Sequence, residues 1–466
     1  MRARRPIQGD HVLSPHQPLH HPDWRARLRG ELTEWRPWIT RGVVLAFAAA
    51  AGLVVAGFTW LAEFAFHQFQ RIEQAAWWAP LLWMPLATAG IVWLTRRFLP
   101  GAAGSGIPQV VAALEETTPA GKRSLYVSMK LAIGKVVLTS AGLLAGLSLG
   151  REGPSVQIAA GVMHSARRWL PDRHTISEHG LLMAGGAAGI AAAFNTPLGG
   201  VMFAIEELWH RREQRSSALL ISAIVLAGLM AVSIYGNNSY FGRLLVPQLG
   251  WTLFGPGLLI AVVCGLAGGL FSRLLIVSLA GGKDLFSRQR ARSPVRFAAG
   301  CALLVAVIGV VTQGATFGSG YEQTKILLEG ERTGELLYTP LKLVATWLTT
   351  WTGVPAGVFA PSLAVGAGIG SDVAALIGFA ERPALIALGM AGFLAAVTQA
   401  PLTAFIIVME MINGHSMVLS LMACALIASG ISRLISAPLY PALARLQLLR
   451  LGVPLEPEKK GAHHTR

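Results

Sequence analysis

Glu152 stands in the segment Gly150-Arg151-Glu152-Gly153-Pro154, between two apolar runs, Val136 to Leu149 and Val156 to Val162. A carboxylate at membrane depth is costly and persists only beside water, a partner or an ion path, so it marks a functional site. Two further segments carry a similar break, Gly104-Ser105-Gly106-Ile107-Pro108 and Gly357-Val358-Phe359-Ala360-Pro361. In each, glycine lets the backbone bend and proline suits the first turn of the helix that follows, where its missing N–H would be unpaired anyway. Each pentapeptide therefore reads as a helix N-terminus. Such ends carry N–H donors and the positive pole of the helix dipole, and several aimed at one point would hold an anion without a full positive charge. Partial charges bind an ion and still let it leave, as transport requires. The Glu152 carboxylate would compete with that anion for the same donors. Once protonated it would lose its charge and move aside, linking proton binding to anion passage. A plain helix-capping carboxylate is the alternative.

Other residues with chemical potential are more ambiguous. Glu206 and Glu207 end the apolar run Val201 to Ile205 and precede Trp209-His210-Arg211-Arg212, which fits either the mouth of a pathway or an interfacial acidic pair solvated beside arginines. Lys130 and Lys135 read as snorkelling or paired structural residues. Tyr440 can offer a hydroxyl to an ion, although a tyrosine of the interfacial belt is the commoner explanation. Cys264, Cys301 and Cys424 lie in apolar segments without metal-ligand spacing and read as small core residues. His11, His16, His20 and His21 fall in a polar, proline-containing tail that reads as solvated and disordered. Neither a metal site nor a cofactor is expected. Gly146 to Gly150 fits Gly-x-Ser-x-Gly around Ser148, but in an apolar helical run instead of a strand-turn-helix context. With no HExxH either, an enzyme that uses Glu152 with Glu206 or Glu207 is disfavoured.

The elements that position these residues are membrane helices. The chain has 466 residues, 53% of them hydrophobic and only 14% charged, and is too apolar for an ordinary soluble protein. Trp38 to Phe66, Trp77 to Leu94, Ala218 to Tyr235, Leu253 to Phe271 and Phe297 to Thr312 approach or exceed the roughly 20 residues of a spanning helix. More than ten helical segments are expected, some of them incomplete crossings. The formal charge of +15 sits mainly in tails and short loops, which argues against a nucleic-acid partner. Arginines at 2, 4, 5, 25, 27, 29, 36 and 41, and basic residues from Arg445 to Arg466, place both ends in the cytoplasm by the positive-inside rule. Residues 1–37 read as a basic tail without a cleavable signal peptide, 38–450 as the membrane domain, and 451–466 as a second tail.

The membrane domain repeats itself. Gly150 to Ser155 matches Gly357 to Ser362 at an offset of 207 residues, and Ala191 to Leu198 followed by Glu206 matches Ala395 to Leu402 followed by Glu410 at 204. Halves of about 38–235 and 250–450 with matched helix breaks point to a transporter whose site lies near the midplane. The spacing leaves open whether the halves are parallel or inverted.

GSGIP, GREGP and GVFAP in this order, with a tyrosine in the last helical region, closely resemble the CLC family of chloride channels and proton-coupled chloride transporters, over about residues 38–450. The resemblance implies an all-α integral membrane protein with two inverted-topology repeats of tilted and broken helices, and one anion pathway in each subunit of a homodimer. It implies that the hydroxyls of Ser105 and Tyr440 and the backbone N–H groups of Val358 and Phe359 hold chloride. Glu152 resembles the external gating and proton-accepting glutamate, and Glu207 the internal proton-transfer glutamate. Gly104, Gly106, Pro108, Gly150, Arg151, Gly153, Pro154, Gly357 and Pro361 complete the motifs. In the family, serine at the position of Ser105 goes with chloride and proline with nitrate. Gln109 replaces an acidic residue common after GSGIP, and Gly353-Val354-Pro355 stands where some bacterial members have GAP. The Glu207 match favours chloride/proton exchange over a passive gated channel. Only 16 residues follow Arg450, too few for the nucleotide-sensing modules of many eukaryotic members, and a bacterial inner membrane is the expected location.

Overall fold

The structure, a computed structural model, describes residues 35–171, 176–208, 217–236, 240–242, 251–330 and 337–450. The four tail histidines, Arg211 and Arg212 lie outside them. The first span is longer than its sequence core: α1 (Trp35–Ala75) runs for 41 residues and begins ahead of the expected domain start at 38. Val44, Ala48, Ala51, Val55, Ala62 and Phe69 are buried along one of its faces, whereas Leu53, Trp60 and Phe64 are exposed. That division suits a helix with protein on one side and lipid on the other.

The remaining helices of the first half are α2 (Ala79–Phe98), α3 (Ile107–Leu114), α4 (Ala120–Arg123), α5 (Met129–Leu144), α6 (Glu152–Ser165), α7 (Glu178–Phe194), α8 (Pro197–Phe203) and α9 (Ser217–Tyr235). The second half holds α10 (Phe254–Ala280), α11 (Leu285–Arg292), α12 (Pro294–Val311), α13 (Tyr321–Leu328), α14 (Tyr338–Thr352), α15 (Phe359–Ile377), α16 (Arg382–Thr398), α17 (Pro401–Met411), α18 (Val418–Arg433) and α19 (Leu439–Arg450). Six of the described helices are long and apolar enough to cross a membrane. Others, such as α3 and α13 with eight residues each, are too short to cross and start from buried residues, Gly106 and Gly320.

Small residues let the central helices approach closely. A side chain at Gly185 on α7 would meet the α6 backbone at Ala160, and the repeat-matched Gly389 on α16 lies against Gly366 on α15. Lipid supplies no hydrophobic drive between helices, so such close backbone packing carries much of the association. The two halves meet through a reciprocal pair of hydrogen bonds: Gly150 N–H donates to Gly357 O (2.7 Å) and Gly357 N–H to Gly150 O (3.0 Å). The two residues form an isolated antiparallel bridge. The same position of both repeats thus lies on a local two-fold axis, with the chain running in opposite directions, and the halves are inverted.

One expectation is corrected here. Gly146 to Gly150 is not part of a helix, because α5 ends at Leu144 and Gly146 takes φ +81°. A left-handed glycine is the usual way to stop a helix. Ser148 is nonetheless buried and hydrogen-bonded to Thr346 Oγ1 at 2.9 Å, far from a nucleophile's exposure.

Candidate functional site

All three pentapeptides open helices. Pro108 is the second residue of α3, and Pro154 and Pro361 are the third residues of α6 and α15, so each lies in a first turn where its missing N–H costs nothing. The glycines do two different jobs. Gly104 (φ +81°) and Gly106 (φ +112°) take conformations that L side chains rarely adopt. Gly150, Gly153 and Gly357 are not among the left-handed residues, and their lack of a side chain makes room instead. A Cβ on Gly153 would overlap Ser105 Oγ, and one on Gly357 would come within 2.8 Å of Gly150 O.

The bridge between Gly150 and Gly357 brings the starts of α6 and α15 together. Glu152, first residue of α6, is fully buried, and its Oε2 accepts from the N–H of Ala360 at 3.3 Å. Its Oε1 has no hydrogen-bond partner among the described residues. A carboxylate of one half therefore caps the helix of the other, beside Phe359. Ser155 and Ser362, matched in the repeat, bond back to Arg151 O (2.9 Å) and Val358 O (2.7 Å), which stiffens both first turns.

Ser105 and Tyr440 come together at a cavity of about 80 Å³ that Val358 and Arg290 also line. Ser105 is 8% exposed and Tyr440 fully buried, and neither hydroxyl has a hydrogen-bond partner among the described residues. Leaving a buried hydroxyl unpaired costs about 1–3 kcal/mol. Two such groups at one cavity fit an anionic substrate that accepts from both. Complete burial rules out the interfacial-belt reading of Tyr440.

Arg151 lines a second cavity, of about 610 Å³, with Glu63, His67, Glu73 and Tyr321. Its guanidinium donates to Glu63 Oε1 (2.7 Å), Thr59 O (3.3 Å) and Tyr240 Oη (3.0 Å). Glu152 thus lies between Arg151, which lines one cavity, and the N–H of Ala360, two residues after Val358, which lines the other.

The Ser105 loop is held from below. Lys135, fully buried on α5, donates to Ala102 O (2.8 Å) and Gly104 O (2.6 Å), so of the two earlier readings it is the paired structural residue, whereas Lys130 is exposed. Gln109 accepts from Gly106 N–H (2.9 Å) and donates to Ala103 O (2.5 Å), a role in the loop for the residue that departs from the family's usual acid. The three cysteines are buried and unbridged.

Glu207 lies in a π-helical turn, residues 204–208, and is half-buried. Its neighbour Glu206 departs from the solvated-pair reading: its carboxylate accepts from the N–H groups of Leu402 (3.1 Å) and Thr403 (2.7 Å) at the start of α17. Residue types alone did not point to this contact, nor to Ala360 as partner of Glu152. The recurrence of Glu206 as Glu410 was the available signal.

The chain is 31% identical to the H(+)/Cl(-) exchange transporter ClcA of Cronobacter sakazakii over 403 residues, which cover 80% of this chain and 82% of that protein. It is also 31% identical to the ClcA of Citrobacter koseri over 366 residues, 74% of each chain. A slow cyanobacterial Cl-/H+ antiporter superposes with a TM-score of 0.77 at 24% identity, covering 89% of this chain and 99% of that one. A eukaryotic CLC transporter gives 0.71 at 22% identity, covering 88% and 75%. Both structures share the fold. Residues 86–433 match the family model of voltage gated chloride channels, and the chain belongs to that family, with its CLC fold of inverted repeats.

Proposed function

We propose that the protein is a chloride/proton antiporter of the membrane in which Glu152 competes with chloride for helix N-termini. The observation that carries this reading is the pair of buried, unpartnered hydroxyls of Ser105 and Tyr440 at one cavity with Val358, next to a carboxylate already held by the N–H of Ala360. Chloride takes the two hydroxyls and the N–H groups of Val358 and Phe359. Glu152 leaves its donor when it binds a proton, because a neutral carboxyl is a far weaker acceptor than a carboxylate. Glu207 passes the proton on the other side of the ion. Exchange by the similar ClcA transporters supports antiport over a passive channel. The motifs shared with the CLC family imply a homodimer with one pathway per subunit, and the basic residues near both ends put those ends on the cytoplasmic side of a bacterial inner membrane.

Proteoliposomes loaded with chloride test the reading. An outward chloride gradient drives uphill proton uptake in an antiporter. Chloride efflux without proton movement would replace this reading with a gated channel.

A further inference from the structure

We propose that Glu206 and Glu410 are positioning residues that together aim Glu207 for proton transfer, an inference that rests on the antiport reading. Glu410, near the end of α17, accepts from the N–H groups of Leu198 (3.2 Å) and Gly199 (2.7 Å) at the start of α8. Glu206, just beyond α8, accepts from Leu402 (3.1 Å) and Thr403 (2.7 Å) at the start of α17. Each helix therefore caps its repeat mate. Glu206 and Glu410 stand at equivalent positions, 204 residues apart, as do Leu198 and Leu402. Four charge-assisted bonds fix the two helices against each other in axial position and rotation.

The next residue breaks the symmetry. Glu207 corresponds to Met411, which is fully buried at the end of a regular α-helix. In the first half the chain leaves the α-helix after Phe203 and enters the π-helical turn 204–208. A π turn is wound more loosely than an α-helix and is often found at functional sites. Glu207 is accordingly part-exposed where Met411 is sealed. The acid that occurs twice does the structural task, and the acid that occurs once is left for the proton. A widened turn lacks the rigidity of regular helix, so the clasp on its Glu206 is what holds Glu207 in one direction.

The test uses the full-length protein in proteoliposomes, with chloride and proton flux recorded together, and thermal stability in detergent as a second measurement. Glu206→Gln and Glu410→Gln each replace a two-oxygen acceptor by an amide that can accept only one of its two bonds. Both variants are expected to lower the ratio of proton to chloride flux at least threefold. Glu206→Asp, which keeps both acceptor oxygens, is expected to recover part of it. A wild-type ratio in either glutamine variant, even with a lowered melting temperature, assigns the clasp to stability alone and overturns the inference. A wild-type protein that moves no protons overturns the antiport reading and this inference with it.

Discussion

Lys135 and Lys342, 207 residues apart in the chain, perform the same task in the two halves. Lys135 holds the carbonyls of Ala102 and Gly104, and Lys342 those of Thr316 (2.9 Å) and Gly318 (2.8 Å). Gly104-Ser105-Gly106 and Gly318-Ser319-Gly320 are thus two copies of one loop, with left-handed glycines at matching places. Each buried ammonium satisfies carbonyls that precede a helix start.

Lys135→Met and Lys342→Met each leave two carbonyls without their donor. A hydrogen bond to a charged group contributes about 1.5–3 kcal/mol, so both variants should melt at clearly lower temperature in detergent. Chloride affinity, measured by titration calorimetry, should fall only for Lys135→Met, because only that loop carries Ser105. Equal loss of affinity in both would contradict the assignment.

Ser105→Ala and Tyr440→Phe remove hydroxyls that lack a protein partner. Each should weaken chloride binding about tenfold, which corresponds to about 1.4 kcal/mol. In chloride-free buffer the same variants should be as stable as the wild type or slightly more so, since an unsatisfied buried group has been removed. Destabilisation without chloride would show that the hydroxyls serve the fold.

Gly153→Ala places a methyl group where Ser105 Oγ and the Ser105 carbonyl lie. Overpacking of this kind typically costs about 1–3 kcal/mol, and here it displaces a proposed ligand. Chloride-dependent stabilisation, read as the rise in melting temperature between chloride-free and chloride-rich buffer, should disappear. An unchanged rise would place the anion elsewhere.

Glu152→Ala should leave chloride flux that no longer drives protons, whereas Glu207→Gln should remove coupling with the Glu152 gate intact. Both are read in the proteoliposome flux assay with paired electrodes. Full coupling in both variants would remove the two roles.

Much of this was legible from residue types. Pro108, Pro154 and Pro361 marked helix starts, because proline is compatible with a first turn and little else in a helix. Matched Gly, Pro, Ser and Glu revealed the duplication. Helix ends were less legible: the sequence span stops at Phe66, whereas α1 continues to Ala75 through His67 and Arg71, polar residues that hydropathy alone reads as the end of a span. The role of Gly153 was misread as bending, since sequence does not distinguish a glycine needed for its φ from one needed for its missing side chain.

The sequence by itself determined a membrane protein with duplicated halves, broken helices and a carboxylate at one break, since composition and local backbone preference act along the chain. Only the tertiary structure decided that the halves are inverted, that Glu152 takes its N–H from Ala360, and that Glu206 and Glu410 exchange helix caps. Those contacts join residues about 200 positions apart. Nothing local fixes them; they arise because a two-fold axis carries each residue onto its repeat mate.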